Sequence, residues 1–184
     1  MRLRRLEVEL GDRVQIAWRS YLLRPEPSAS RDLEKFRAYT QGWSRPAAEP
    51  DGGTFQVWQG DAGPPAHSLP PHLVARAAAR LGRAEFDTLH ERLFHAYFAE
   101  SRDITERATL RALWREAGLP EGDFDCCDDP AIRDAVLADH REAIDLGIHG
   151  VPAVRIEPNL VATVGAHPLE VYRRWFLKQI DCER

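Results

Sequence analysis

The sequence is poor in cysteine, with only three in 184 residues, and none of them lies in a Cys-X-X-Cys spacing. This odd count argues against a framework of disulfides. Cys126 and Cys127 are adjacent, so a disulfide between them would have to span a Cα separation of about 3.8 Å instead of the usual separation of about 5.5–6 Å. The aspartates around this pair are expected to raise its thiol pKa values. We therefore expect none of the three cysteines, Cys182 included, to be a low-pKa catalytic thiol.

Long apolar runs and an excess of positive charge are also missing. No stretch reaches the roughly 18 uncharged apolar residues of a transmembrane helix, and the arginine-rich start lacks the apolar region of a signal peptide. The net charge of −4 is opposite in sign to what nonspecific nucleic-acid binding requires. We therefore expect a cytoplasmic protein that binds neither membranes nor nucleic acid. The clusters Arg2–Arg5 and Arg173–Arg174 are interpreted as solvated helix faces.

Metal-ligand spacings are absent as well. His67 and His72 are four residues apart, but two prolines lie between them and no cysteine or carboxylate stands at a matching spacing. We expect no metal site.

The most informative stretch that is present runs from Leu146 to Ala153 and reads LGIHGVPA. It joins a helix-ending glycine, Gly147, to a Val-Pro step at the head of a β-branched run. A trans proline that starts an edge strand fits these residues, and so does a cis bond, which costs only about 0.5–1 kcal/mol before proline. We predict that the Val151–Pro152 bond is cis. The backbone of Val151 would then point outward, where it can pair with an extended peptide or a thiol ligand.

The first part of the chain predicts a helix and a strand. The leucines of residues 1–10 share a helical face that Gly11 ends. The run from Val14 to Leu23 is apolar on both faces, which predicts an interior strand of a parallel sheet. The Pro-, Gly- and Ser-rich stretch over residues 25–71 is a long loop with one short helix, a composition typical of lids and binding segments.

Helices dominate the sequence from residue 70 to 146. Asp103 and Glu106 have the spacing of a capping box, and Asp129 before Pro130 predicts an N-cap followed by proline in the first turn. After the Val-Pro step, two β-branched runs around a Pro-Asn turn predict a hairpin, and a further proline opens a last helix.

A hairpin followed by a helix is the closing half of a thioredoxin fold. Together with the preceding helix, this part of the chain resembles the DsbA family of thiol–disulfide oxidoreductases, in the branch that includes the FrnE-like proteins and the 2-hydroxychromene-2-carboxylate isomerases. In that branch a helix ending in A-x-x-x-G-x-x-G-V-P leads into the cis-proline strand. The matching residues here are Ala143, Gly147, Gly150, Val151 and Pro152.

The resemblance runs back through nearly the whole chain. Residues 94–119 resemble the inserted helical domain of the family, residues 18–25 its second strand, and residues 43–72 a lid segment of one subgroup. The resemblance implies an α/β protein with a thioredoxin-like fold and an inserted helical domain. The expected divisions are a thioredoxin-like part over 1–26, the lid and inserted helical domain over 27–146, and a second thioredoxin-like part over 147–184.

The front of the family pattern is missing. In the family the nucleophile lies in a Cys-X-X-Cys turn, or a serine-containing variant, between the first strand and the first helix, and this chain begins inside that helix. The first strand, the active-site turn and the nucleophile are therefore expected upstream of Met1, which we interpret as an internal start. Without that central strand the sheet would lose on the order of ten hydrogen bonds, each worth about 0.5–1.5 kcal/mol.

Three functions stay open from the sequence. The first is a thiol–disulfide oxidoreductase that acts on protein or small-molecule thiols and disulfides. The second is a glutathione-dependent isomerase or transferase of the hydroxychromene type, and the third is a noncatalytic peptide-binding module. Beyond glutathione as a cosubstrate we expect no cofactor. The expected partners are a peptide or small thiol and, in a homodimer, a second copy of the chain.

The substrate-binding residues implied by the resemblance are His149, Gly150, Val151 and Pro152. The backbone of Val151 would hold the substrate beside the proline. His149 would lie next to a thiolate and lower the pKa of that thiol, or it would be an ordinary loop histidine that faces solvent. The catalytic residue itself stays unknown from this sequence.

Overall fold

The structure is a computed structural model that describes residues 2–28, 32–49, 51–61, 63–157 and 162–182. Within these residues the chain forms eight α-helices and one two-stranded sheet. The helices are α1 (Arg2–Leu10), α2 (Leu33–Thr40), α3 (Ser44–Ala47), α4 (Leu69–Leu81), α5 (Arg83–Phe98), α6 (Arg107–Glu116), α7 (Pro130–Asp145) and α8 (Leu169–Cys182). The strands are β1 (Ala153–Arg155) and β2 (Ala162–Val164), and 3₁₀ turns lie at Gly11–Arg13, Gln41–Trp43 and Glu121–Asp128.

The predicted hairpin is confirmed. Strands β1 and β2 pair antiparallel, with Ala153 opposite Val164 and Arg155 opposite Ala162. One face of the hairpin is buried against α1 and α8. This packing stabilises the hairpin, since a two-stranded hairpin alone is at best marginally stable in water. The buried residues of this core are Leu6, Leu10, Val154, Leu169, Tyr172 and Phe176. Helix α1 stops before Gly11, which adopts a φ of +56° as the sequence predicted.

A larger core lies among α4, α5, α6, α7 and the 3₁₀ turn before α7. Its largest members are Leu89, Leu93, Leu113, Trp114, Phe124 and Ile132. The predicted start of α7 is confirmed, because the Asp129 carboxylate accepts a hydrogen bond of 2.8 Å from the Ala131 amide and Pro130 occupies the first turn. A smaller cluster of Leu22, Leu69 and Val136 joins the 14–22 segment to α4 and α7. The division of the chain into domains stays a prediction.

The capping box predicted for α6 is wrong. The helix begins later, at Arg107, and its N-cap residue Glu106 makes no side-chain cap. The Asp103 carboxylate accepts instead from the amide and the hydroxyl of Thr105, at 2.9 and 2.6 Å. A short acidic side chain can bond to the backbone two residues ahead, and this local turn competes with helix capping.

The strand predicted for Val14–Leu23 is wrong as well. These residues form neither a helix nor a strand, they alternate between exposed and partly buried as far as residue 20, and they pair with no strand in the described ranges. Their amides bond to side chains of α7: the Ser20 amide donates to Asp139 at 3.1 Å and the Leu22 amide to Nδ1 of His140 at 3.2 Å. The segment packs on helices through these contacts, and no strand in the described ranges pairs with it.

Asp139 is a buried charge between this segment and the helices. Its carboxylate pairs with Arg19 at 3.1 Å and with Arg76 of α4 at 3.6 Å. His72, also on α4, interacts electrostatically with the Asp139 carboxylate. Burial lowers the pKa of His72 to about 4, although the Asp139 charge acts in the opposite direction. His72 is therefore neutral at neutral pH.

A buried neutral histidine makes stability depend on pH. Unfolding returns the pKa of His72 from about 4 to about 6.5. Between these values the unfolded chain binds more protons, so the free energy of unfolding falls as the pH falls. We predict that His72→Asn removes up to about 3 kcal/mol of this loss, at about 1.4 kcal/mol per pKa unit. Urea unfolding at pH 7 and at about pH 4 measures the free energy of unfolding of the wild type and of His72→Asn. An equal pH dependence in the two proteins would contradict the prediction.

Candidate substrate-binding site

The Val151–Pro152 peptide bond is cis, as predicted. The Pro152 carbonyl accepts a hydrogen bond of 2.8 Å from the Gly165 amide, just beyond β2. Val151 is 47% exposed, and within the described residues no hydrogen bond reaches its N–H or its C=O. The backbone at Val151 is thus available to an incoming extended chain.

The neighbouring predicted residues differ in their surroundings. Gly150 is partly buried, and a Cβ added there would lie 3.8 Å from a methyl group of Val164. Val164 is itself exposed, so Val151 and Val164 both present apolar surface at the loop over residues 149–152, which we call the substrate loop. His149 is exposed, and its side chain makes no hydrogen bond within the described part of the chain.

Hydrogen bonds connect the substrate loop to the first turn of α1. Tyr172 is buried, and its hydroxyl donates to the Gly165 carbonyl at 2.9 Å and accepts from the His167 amide at 3.3 Å. The His167 carbonyl then accepts from Nη1 of Arg2 at 3.0 Å. The path from Pro152 through Gly165 and His167 therefore ends at the N-terminal turn of α1. The sequence contained no local signal for these contacts.

Arg2 and Arg4 of α1 do not lie on the solvated face predicted for them, whereas the Arg5 side chain is 60% exposed. Arg4 reaches three partners on α5: Asp87 at 3.0 Å, Glu91 at 2.8 Å and Nδ1 of His90 at 3.0 Å. Its guanidinium also lies 5.4 Å from the ring centroid of Trp18. Arg4 therefore fixes the start of α1 against α5 and the 14–22 segment.

His90 is enclosed by aromatic rings. Its ring centroid lies 5.1 Å from that of Trp18, 4.9 Å from that of Phe86 and 4.6 Å from that of Phe94. Burial, and next the charge of Arg4, lowers the pKa of His90 to about 3. At neutral pH His90 is therefore uncharged, and its Nδ1 accepts a hydrogen bond from Arg4.

Residues 43–49 and 51–58, which we call the lid segment, are the first part of the predicted lid, and their aromatic side chains pack on the C-terminal half of α5. Trp43 is the centre of this contact, with ring centroids of Phe36, Phe55, Tyr97 and Phe98 at 5.0–6.3 Å. Ion pairs connect the same segment to α1. Arg5 pairs with Asp51 at 2.8 Å, and Arg2 pairs with Glu49.

A tight turn holds the acidic end of the lid segment. The Gly52 amide donates to the Glu49 carbonyl at 2.9 Å. A Cβ at Gly52 would lie only 1.7 Å from the Pro46 carbonyl oxygen, so the turn has no room for a side chain. The sequence predicted a loop here but not its attachment to α1.

Residues 1–175 match the family model of the DSBA-like thioredoxin domain. The chain belongs to this family. The crystal structure of a putative protein disulfide isomerase from Nitrosomonas europaea is similar to it, with a TM-score of 0.70, 18% identity and coverage of 87% of this chain and 80% of that one. This likeness shows the predicted thioredoxin-like fold. No curated protein matches the sequence.

The two cysteines that the structure describes are adjacent in the 3₁₀ turn before α7, in the helical part of this DSBA-like domain. Cys127 is 4% exposed and packs among α4–α7, and Cys126 beside it is exposed. Burial raises the pKa of the Cys127 thiol, and the Asp128 charge adds to the effect while Arg107 opposes it. The predicted repulsion is therefore secondary to burial at Cys127. The Cys182 side chain lies outside the described residues.

Two further findings concern the described residues of the DSBA-like domain. They contain no group of three His, Cys, Asp or Glu side chains that could hold a metal ion. None of their helices is long and apolar enough to cross a membrane.

The adjacent cysteines should react at very different rates. Cys126 is exposed, whereas Cys127 is buried and its thiol pKa is raised. Because the thiolate is the reactive form, we predict that iodoacetamide at pH 8 modifies the Cys127→Ser variant, through Cys126, much faster than the Cys126→Ser variant. Mass spectrometry follows the reaction. Equal rates in the folded variants would contradict the prediction, and equal rates in urea serve as the control.

Proposed function

We propose that this chain supplies the substrate-binding surface of a DsbA-type thiol–disulfide oxidoreductase, with the substrate held along the backbone of Val151. The proposal rests on the N–H and C=O of Val151 beside Pro152, which have no hydrogen-bond partner among the residues that the structure describes. An extended peptide gains affinity from main-chain hydrogen bonds to such a strand end, and exposed side chains add specificity. Here Val151 and Val164 would contact the apolar side chains of the substrate.

Thiol–disulfide exchange is consistent with a substrate loop that is connected to the N-terminal turn of α1. The N-terminal end of a helix carries a partial positive charge that stabilises a thiolate, and Arg2 ties the first turn of α1 to the end of the hairpin. In thiol–disulfide exchange, a thiolate attacks one sulfur of a disulfide, a new S–S bond forms and the other sulfur leaves as a thiolate. Cys126 and Cys127 lie in the 3₁₀ turn before α7 and not in the substrate loop, so in this proposal neither is the attacking thiol.

Two alternatives share the same surface. Glutathione is a peptide, so an isomerase or transferase that uses it would also pair its backbone with Val151, and a noncatalytic module would bind peptides without turnover. These alternatives stay open because both described cysteines lie in the 3₁₀ turn before α7 and neither lies in the substrate loop. A cytoplasmic location, the FrnE-like branch and a homodimer stay predictions.

Ligand binding at Val151 can be tested directly. We predict that a cystine-containing peptide shifts the ¹⁵N–¹H resonances of residues 149–153 and 165–167. Val151→Asp should weaken binding at least about tenfold, equivalent to about 1.4 kcal/mol, because it places a charge against apolar substrate groups. The matched control is Val171→Asp on α8, where the valine is 44% exposed compared with 47% at Val151.

The outcomes separate the three functions. Binding of the peptide in preference to reduced glutathione supports the oxidoreductase or the binding module, whereas binding of glutathione alone supports the isomerase. Insulin reduction that depends on Cys126 or Cys127 would contradict the assignment of the site. A titration in which neither ligand shifts residues 149–153 would contradict all three functions at this loop.

A further inference from the structure

We propose that Arg2 is a positioning residue that couples the lid segment to the substrate loop. The proposal rests on the proposed function, since it concerns how that binding surface is held. Arg2 is in the first turn of α1, between the lid segment and the chain that follows β2. A single guanidinium contacts both.

The two contacts use different nitrogens of the guanidinium. Nη1 donates to the His167 carbonyl at 3.0 Å, and Nη2 pairs with the Glu49 carboxylate. The Arg2 side chain is only 14% exposed, whereas Glu49 is 52% exposed. A planar fork of fixed donors can serve two acceptors at once, which the single ammonium of lysine does far less well.

The contact with His167 reaches the substrate loop through three hydrogen bonds around the buried Tyr172 side chain. Tyr172 fixes both the Gly165 carbonyl and the His167 amide, and the Gly165 amide holds the Pro152 carbonyl. These are backbone positions on either side of one buried hydroxyl. A displacement of His167 therefore changes the position of Gly165 and, with it, that of Pro152.

The contact with Glu49 acts on the lid segment through its tight turn. The Gly52 amide bonds to the Glu49 carbonyl, so movement of Glu49 moves the turn as a unit. Arg5 offers a matched comparison, because it lies on the same helix and pairs with Asp51 of the same turn. Among the described contacts Arg5 has none with the hairpin, so it can hold the lid segment without coupling it to the substrate loop.

Hydrogen exchange measured by mass spectrometry tests the coupling in the whole chain. In the ligand-free protein we expect Arg2→Gln to raise exchange in both peptides, 44–57 and 162–168, by at least about fivefold, the lower end of typical coupling energies. Glu49→Gln removes the lid side of the coupling and should raise exchange in 44–57 and, to a smaller extent, in 162–168, whereas Arg5→Gln should raise it only in 44–57. An Arg2→Gln variant that changes one peptide alone, or neither, would overturn the proposal.

Arg2→Lys guards against simple misfolding, because it keeps the charge on α1. We expect it to raise exchange in at least one of the two peptides, since a compact ammonium does not present two separated donors in a fixed plane as the guanidinium does, and unchanged exchange in both would overturn the proposal. A melting temperature within a few degrees of the wild type qualifies each variant for comparison.

Saturation with the cystine-containing peptide then tests reciprocity. Coupling between two sites is mutual, so ligand bound at the substrate loop should slow exchange in 44–57 of the wild type and not in Arg2→Gln. Bound ligand with no effect on 44–57 of the wild type would overturn the coupling and leave the proposed function intact. Absence of binding would contradict the proposed function, and the ligand-free comparison would still decide the coupling.

Discussion

The hairpin β1–β2 has three residues in each strand, too few to persist in water without a packed face. Helices α1 and α8 supply that packing, with Leu6 and Phe176 against Val154 of the hairpin. Each large side chain buried in this way contributes about 1.5–3 kcal/mol. The substrate loop precedes β1, and His167, which contacts Arg2, follows β2. The geometry of the site therefore depends on how the two helices cover this small sheet.

Two kinds of contact then attach the surroundings of the hairpin. The chain after β2 is held by hydrogen bonds around the buried Tyr172 hydroxyl. The acidic turn of the lid segment is held to α1 by ion pairs of Glu49 and Asp51. Exposed ion pairs contribute about 0–1 kcal/mol and weaken with salt. The chain after β2 is therefore held by hydrogen bonds around a buried hydroxyl, whereas the acidic turn of the lid segment is held by weaker, salt-sensitive ion pairs.

Local signals in the sequence predicted much of this fold. Gly11 and Gly147 mark helix ends, Asp129 and Pro130 mark a helix start, and the cis Val151–Pro152 bond follows its glycine-flanked turn. Each of these features depends on residues within a few positions of one another. The thioredoxin-like arrangement came from the resemblance and not from any one pattern.

The features that the sequence did not predict depend on distant partners. Apolar residues on both faces of Val14–Leu23 cannot reveal whether a neighbouring strand is there to pair with them, and among the described residues none does. The arginines of α1 have the pattern of a solvated face, yet the partners of Arg2 lie 165 and 47 residues away and those of Arg4 lie 83 to 87 residues away. No periodicity encodes such contacts.

The exchange rate of the Val151 amide is the most direct measurement of the site. Residue-resolved NMR would record it in the ligand-free chain and with the cystine-containing peptide bound, with the Gly165 amide as internal reference because it already donates to the Pro152 carbonyl. We predict fast exchange at Val151 without ligand and protection of at least about tenfold with it, as expected when a hydrogen bond worth about 1.4 kcal/mol or more closes. Bound peptide that leaves Val151 unprotected would contradict the assignment of this backbone as the substrate-binding surface.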